Sequence, residues 1–244
     1  MAIPQPIAPP ALFDPAYDGL GVTLGPDGGT LRVWSENATS IELVVCDPVD
    51  LDWITEVTPL APVGGGVWQV TTPALGLGTR YALRVDGPTN ATDTFNPATL
   101  LIDPYSRGLV RVRRGQWRSV VTDDSYDWEG IGRPATPLDR TVIYEAHVKG
   151  LTKRHPDIPP ALHGTYAGLG HPAMIEHLTS LGVTAVELLP IHAFVTEPRL
   201  LTQGLTNYWG YNTLAFFAPH APYATAEANA AGPDAVLREL KDTV

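Results

Sequence analysis

The stretch Val183 to His220, VTAVELLPIHAFVTEPRLLTQGLTNYWGYNTLAFFAPH, constrains this chain more than any other. Val183 to Leu189 is a short apolar run rich in β-branched residues and closed by Pro190. That pattern predicts a strand buried on both faces of a parallel sheet. Roughly 17 polar residues punctuated by Pro and Gly follow, ending in Asn207-Tyr208-Trp209-Gly210-Tyr211-Asn212. Three aromatic rings around one glycine sit at the strand's C-terminal end, where β/α architectures meet their ligands. Flat aromatic faces beside an amide suit a sugar ring, whose C–H face stacks while its hydroxyls take hydrogen bonds. Composition alone allows a hydrophobic loop plug equally well.

The remaining composition narrows the partner. The 244 residues suffice for two domains, and 44% apolar with 17% charged residues describes a globular chain. A net charge of −10 argues against nucleic acid and anionic membrane surfaces, and favours a neutral ligand. The single cysteine, Cys46, excludes an internal disulfide and points to a reducing compartment, the cytoplasm. The opening Met1-Ala2-Ile3-Pro4 has neither basic n-region nor apolar h-region, so no signal peptide and no membrane span is expected.

Residues 1–20 read as an extended Pro-rich segment, and 21–130 as a β-sandwich. Its strands are expected at Thr30–Trp34, with Leu31 and Val33 on one face, and at Ile41–Cys46, Val67–Thr71 and Arg80–Val85. Turn signals such as Pro26-Asp27-Gly28-Gly29 and Gly64-Gly65-Gly66 separate them. Residues 131–140, with prolines at 134 and 137, form a linker. From Thr141 the pattern becomes β/α: a strand at Val142–Val148, a long loop to Gly170, and a helix over Pro172–Leu181. That helix carries Met174, Ile175, Leu178 and Leu181 at helical spacing and is ended by Gly182. After the strand at 183–189 and the aromatic loop comes a last helix from Pro233 to Leu240. Two parallel strands are visible where a closed (β/α)8 barrel has eight over about 250 residues. The fold class is therefore multidomain, a β-sandwich followed by the first two β/α units of a TIM barrel.

Three stretches carry a family resemblance: TVIYEAHVKGLT at 141–152, HGTYAGLGHPAMIEHLTSLGVTAVELLPIHAF at 163–194, and NYWGYNTLAFFAPHAPY at 207–223. They resemble the opening of the catalytic barrel in the α-amylase superfamily, glycoside hydrolase family 13, and within it the isoamylase-type debranching enzymes. LRVWSENATSIELVVCD at 31–47 and FNPATLLIDPYS at 95–106 resemble the immunoglobulin-like sandwich of carbohydrate-binding module family 48. The long insertion Lys153 to Gly170 favours debranching over the branching enzymes and maltooligosyltrehalose trehalohydrolases that share this layout. The resemblance implies retaining hydrolysis of α-1,6-glucosidic branch points by two carboxylates about 5–5.5 Å apart. It places both of them, and a third carboxylate, beyond Val244, so no catalytic residue is assigned here and the chain alone is expected to be inactive. It implies glycogen or another branched α-glucan as partner, with no cofactor and no metal. Tyr211 matches the tyrosine that stacks on the sugar next to the scissile bond, and Trp209 the neighbouring ring; Tyr208 and Asn212 are flanking candidates. A non-catalytic α-glucan-binding module is the alternative from another class.

Other residues invite functional readings that the pattern does not support. Glu145 and Glu187 lie on the two strands before their ends, where hydrogen bonds within the barrel wall are expected rather than chemistry. The seven histidines form no metal motif, and His147 is expected to pack or hydrogen-bond beneath the loops. Arg111, Arg113, Arg114 and Arg118 read as a solvated strand edge. Of Trp34, Trp53, Trp68, Trp117 and Trp128, most are expected in the core, with one or two free as a glucan platform.

Overall fold

The structure, a computed structural model, describes residues 19–112 and 115–244. The Pro-rich expectation therefore falls, through residue 18, outside the described residues, as do Arg113 and Arg114. Nine strands occupy the first half: β1 (Gly21–Gly25), β2 (Gly28–Trp34), β3 (Ser40–Cys46), β4 (Ile54–Pro59), β5 (Ala61–Gly64), β6 (Val67–Thr72), β7 (Arg80–Asp86), β8 (Gly108–Arg111) and β9 (Trp117–Val120). They make two antiparallel sheets, ordered β1-β2-β6-β5 and β4-β3-β7-β9-β8. The β1–β2 hairpin turns through Pro26-Asp27 into Gly28, whose φ of +109° suits only glycine. A Cβ there would also run into the Thr72 carbonyl.

The alternation read from the sequence fills the space between the sheets. Leu31 and Val33 of β2 face Ile41, Leu43 and Val45 of β3 and Leu83 and Val85 of β7 in one buried cluster. Each such side chain contributes roughly 1.5–3 kcal/mol on leaving water. Of the five tryptophans in this half, Trp68 packs against this cluster. Trp34, Trp53 and Trp128 are exposed, and Trp68 and Trp117 are half-buried. Trp34 follows Val33 on the strand, so its side chain emerges on the opposite face. The indole N–H groups of Trp34 and Trp68 donate to backbone carbonyls of Gly65 and Ser35, partners an aliphatic interior could not offer. Cys46 is buried and unpaired.

The polar centre of this half is Asp103, fully buried just after the isolated bridge between Leu83 and Leu101. Its Oδ2 accepts the Tyr81 hydroxyl at 2.6 Å and its Oδ1 the Tyr105 N–H at 2.9 Å, while its own N–H donates to Ser119 Oγ at 2.9 Å. Arg118 departs from the solvated-edge expectation. It is 3% exposed, because β9 lies inside its sheet between β7 and β8, with Asp52 at 4.0 Å.

In the second half β10 (Ile143–Ala146) and β11 (Ala185–Leu188) pair in parallel, Ile143 opposite Ala185 and Ala146 opposite Leu188. Between them lie α1 (Val148–Thr152), α2 (Tyr166–Leu169) and α3 (Pro172–Ser180), so the expected long loop to Gly170 is partly helical. Proline at its first turn starts α3 and Gly182, at φ +73°, follows its end. Met174 is buried, but Ile175 and Leu181 are each 54% exposed, so only part of the apolar stripe is covered. Nor is β11 buried on both faces: Val186 is 39% exposed, and Ile143 beside it on β10 57%. Among the described residues the sheet has two strands and no further neighbour to cover them.

Beyond β11 come β12 (His192–Phe194), α4 (Pro198–Thr202), β13 (Thr213–Pro219), α5 (Ala226–Ala231) and α6 (Pro233–Thr243). β12 and β13 pair antiparallel, an element the sequence reading missed. A second core gathers Val148, Ile158, Tyr166, Met174, Phe194, Tyr223 and Val236. The halves meet along β8, β13 and α6. Tyr105 stacks on Phe217 with ring centres 5.0 Å apart, and Asp234 at the start of α6 accepts the Asp123 N–H at 2.7 Å. At the other end of α6, Tyr126 donates to Asp242 at 2.6 Å and Lys241 reaches Asp124 at 3.1 Å.

Candidate substrate site

The site grows from the C-terminal ends of β10 and β11. Immediately after β10, His147 caps α1, its Nδ1 accepting the Gly150 N–H at 3.1 Å. With Nδ1 an acceptor, the neutral ring carries its proton on Nε2. Nε2 is 2.7 Å from the Tyr208 carbonyl oxygen and 3.0 Å from the Tyr223 hydroxyl. The imidazole also lies parallel to the Tyr208 ring, centres 4.1 Å apart and planes within 2°. One histidine thus holds the aromatic loop by its backbone and by a ring face. Gly150 is needed beneath it, since a Cβ there would approach the Tyr208 hydroxyl to 2.6 Å.

The loop has its own ties. Asn207 donates from Nδ2 to the Val195 carbonyl at 3.1 Å and accepts the Gly210 N–H at 3.0 Å. The Val195 N–H closes the neck by donating to the Asn212 carbonyl at 3.0 Å. Gly210 sits at φ +85° against Phe194 and Pro190, where a Cβ would be 2.9 Å from the Phe194 ring. With Gly210 buried and one face of Tyr208 against His147, Trp209 and Tyr211 project outward, 59% and 70% exposed, while Tyr208 is 46% exposed. Asn212 is half-buried at the neck.

Under the loop the aromatic residues form a continuous packed layer that the sequence reading did not identify. Phe194 stacks on His220 at 3.5 Å, and Tyr223 meets His147, Phe194 and His220 edge-on. Burial, with a smaller push from the Lys149 charge, brings the His220 pKa down to about 4, so this ring is neutral at pH 7. Burial pushes the Tyr223 hydroxyl up to about 12. Tyr166, fully buried, donates to the Ile191 carbonyl at 2.8 Å and lies 3.2 Å from that of His220, tying the chain after β11 to the end of β13. The recurring APHAPY text at 218–223 was the one available sign of this layer.

A cleft of about 710 Å³ opens between this layer and the β8–β9 hairpin. Tyr208 lines it, whereas Trp209, Tyr211 and Asn212 do not. The four candidate residues therefore share one loop but not one surface. Glu145 and Glu187 stand side by side in the β10–β11 register, both exposed. Among the described residues neither makes the wall hydrogen bond expected of it, because the strands that would face them are not present in this two-stranded sheet. No group of His, Cys, Asp and Glu fit to hold a metal occurs among the described residues.

Comparison with known proteins agrees with this architecture. Residues 19–106 match the model of carbohydrate-binding module 48, the isoamylase N-terminal domain. The chain is 41% identical to a glycogen debranching enzyme of Yersinia enterocolitica over 93% of its own length and 36% of the relative's. Across nearly its whole length the chain is thus similar to the corresponding third of a glycogen debranching enzyme. A glycogen operon protein GlgX homolog of Mycobacterium bovis is 42% identical over 84% of this chain and 32% of its own. Among solved structures, a pullulanase of Paenibacillus barengoltzii in complex with maltohexaose and α-cyclodextrin superposes with a TM-score of 0.68 at 25% identity. That match covers 93% of this chain and 36% of the pullulanase. The chain thus spans about a third of the length of these relatives.

Proposed function

We propose that this chain works in the hydrolysis of α-1,6-glucosidic branch linkages in glycogen or a related α-glucan, receiving the sugar rather than cleaving it. The observation that carries the reading is the 41% identity, across 93% of the chain, to a protein named glycogen debranching enzyme. The exposed Trp209 and Tyr211 supply the matching chemistry, two aromatic faces beside a Tyr208 that is itself 46% exposed. Tyr211 is assigned to stacking on the sugar next to the scissile bond, Trp209 to walling that position, and Tyr208 and Asn212 to flanking it. The nucleophile and the acid/base belong to no residue of this chain.

The domain reading supports this division. Residues 21–130 form the immunoglobulin-like module, 131–140 the connection, and β10 with β11 the first two strands of a (β/α)8 barrel. Exposed Ile143, Val186, Glu145 and Glu187 are the surface further barrel strands would cover. The unpaired Cys46 agrees with a cytoplasmic setting, and among the described residues no helix is long and apolar enough to cross a membrane. The module match over 19–106 also favours a second reading, a non-catalytic α-glucan-binding protein.

Two assays separate the readings. The purified chain, incubated with glycogen, should release no reducing ends above a boiled control. Joined to the C-terminal two thirds of the Yersinia relative, it should remove branches, and Tyr211→Ala in that chimaera should lower turnover. Cleavage by the chain alone would overturn the assignment. A folded chimaera that forms branches would place the chain with the branching enzymes, and one that only binds glucan would favour the module.

A further inference from the structure

We propose that the cleft between the β8–β9 hairpin and the β12–β13 region binds a phosphorylated sugar, at a site separate from the Trp209–Tyr211 platform. The inference does not depend on the hydrolytic reading. Its volume, about 710 Å³, lies within the usual range of small-molecule sites, and both halves of the protein build its walls. Its charge is what distinguishes it. The chain carries 26 acidic against 16 basic residues, yet among the described residues no carboxylate lines this cleft. Glu197 lies between two lining residues without lining it.

Two cations do line it, one from each half: Arg111 at the end of β8 and Lys149 in α1. Both are exposed, and neither forms an ion pair among the described residues. The Lys149 charge is felt within the cleft, where it helps keep His220 neutral. A concave, acid-free surface with two unneutralised cations favours an anion, and a phosphate monoester is mostly dianionic at pH 7.

The remaining lining says what the anion is attached to. The half-buried Trp117 on the sandwich side and Tyr208 on the other offer aromatic faces, and Thr206 a hydroxyl. Free phosphate would engage the cations and leave these rings against water. A neutral sugar would use the rings and leave the cations without a partner. A hexose phosphate uses both.

Isothermal titration of the 244-residue chain with glucose 6-phosphate, inorganic phosphate and maltose tests the assignment. Glucose 6-phosphate should bind at least about tenfold tighter than either other probe, as expected when charge-assisted bonds and ring contacts act together. Arg111→Gln and Lys149→Gln should each weaken it by about fivefold or more, with the loss shrinking at high salt. Lys153→Gln, exposed and outside the cleft, should leave it unchanged. Equal binding of maltose would remove the phosphate from the proposal, and equal binding of inorganic phosphate would remove the sugar. Absence of glucose 6-phosphate binding would overturn it, as would parent-like binding by both cleft variants with unchanged melting curves.

Discussion

Tyr81→Phe should destabilise the sandwich half far more than loss of one hydroxyl from a surface would suggest, and by an amount that depends on pH. The ring is 1% exposed and phenylalanine refills it, so no cavity term enters. What is lost is the 2.6 Å bond from the hydroxyl to Asp103 Oδ2, in a site with no access to water. A hydrogen bond to a charged partner is worth about 1.5–3 kcal/mol net, and leaving the acceptor unmatched places the cost in the upper part of that range. A loss of about 2–3 kcal/mol lowers Tm by roughly 4–12 °C in a chain of this size.

Burial raises the Asp103 carboxyl above its ordinary value, partly offset by the Tyr81 hydroxyl and the Tyr105 N–H, which lower it. A carboxyl with a raised folded pKa favours the folded state below the unfolded value, near 3.8, and loses that advantage as pH rises through the folded value. Removing the Tyr81 hydroxyl raises the folded pKa further. The penalty of Tyr81→Phe is therefore larger above the folded pKa of Asp103 and shrinks as pH falls through it and the folded carboxyl takes up its proton. Urea melts followed by tryptophan fluorescence at several pH values measure this. A penalty below about 0.5 kcal/mol at pH 7, or one that is flat from pH 8 to 4, would refute the reasoning.

Three further outcomes are expected. Gly150→Ala should cost about 1–3 kcal/mol in a denaturant melt, because its Cβ must displace the Tyr208 hydroxyl; an unchanged melt would show that the ring yields freely. Tyr211→Ala should reduce retention in glycogen-containing gels by about two- to tenfold, an aromatic contact of roughly 0.5–1.5 kcal/mol, with unchanged stability since the side chain is 70% exposed. Asp234→Ala should cost about 1 kcal/mol by removing both the acceptor for the Asp123 N–H and the acid at the start of α6. Limited proteolysis between residues 129 and 140 should accelerate with it, and cleavage at the parent rate would mean that this contact does not hold the halves together.

Period-2 alternation is legible in β2, where every second residue is buried, whereas β3 and β7 bury consecutive residues and were legible as apolar runs between turn signals. β4 and β5 are exposed along most of their length, and strands that bury little leave no hydrophobic period to find. β12 and β13 were illegible for a different reason. Three residues of β12 pair irregularly with a strand that begins 21 residues later, and nothing local announces a long-range antiparallel pair inside a β/α array. The tryptophan expectation failed because hydrophobicity was counted without the N–H. Trp68 does pack against the Leu, Ile and Val interior, but only with its N–H turned to the Ser35 carbonyl, and Trp34 donates to Gly65 from an exposed position.

The same distinction explains why the site was readable as a loop and not as an arrangement. Asn207 to Asn212 declares itself by three rings around a glycine, but the text gives each ring equal standing. Which ring faces outward is decided by residues about 60 positions earlier and 15 later. His147 takes the carbonyl and one face of Tyr208, Gly150 leaves room for its hydroxyl, and Tyr223 closes the layer below. With one face of Tyr208 held against His147, the turn at Gly210 leaves Trp209 and Tyr211 the more exposed rings of the loop. In the proposed reading the loop offers the sugar contacts, while the end of β10 sets its geometry. A substitution at His147 should accordingly disturb any sugar contact made by Trp209 and Tyr211, through the loop it holds.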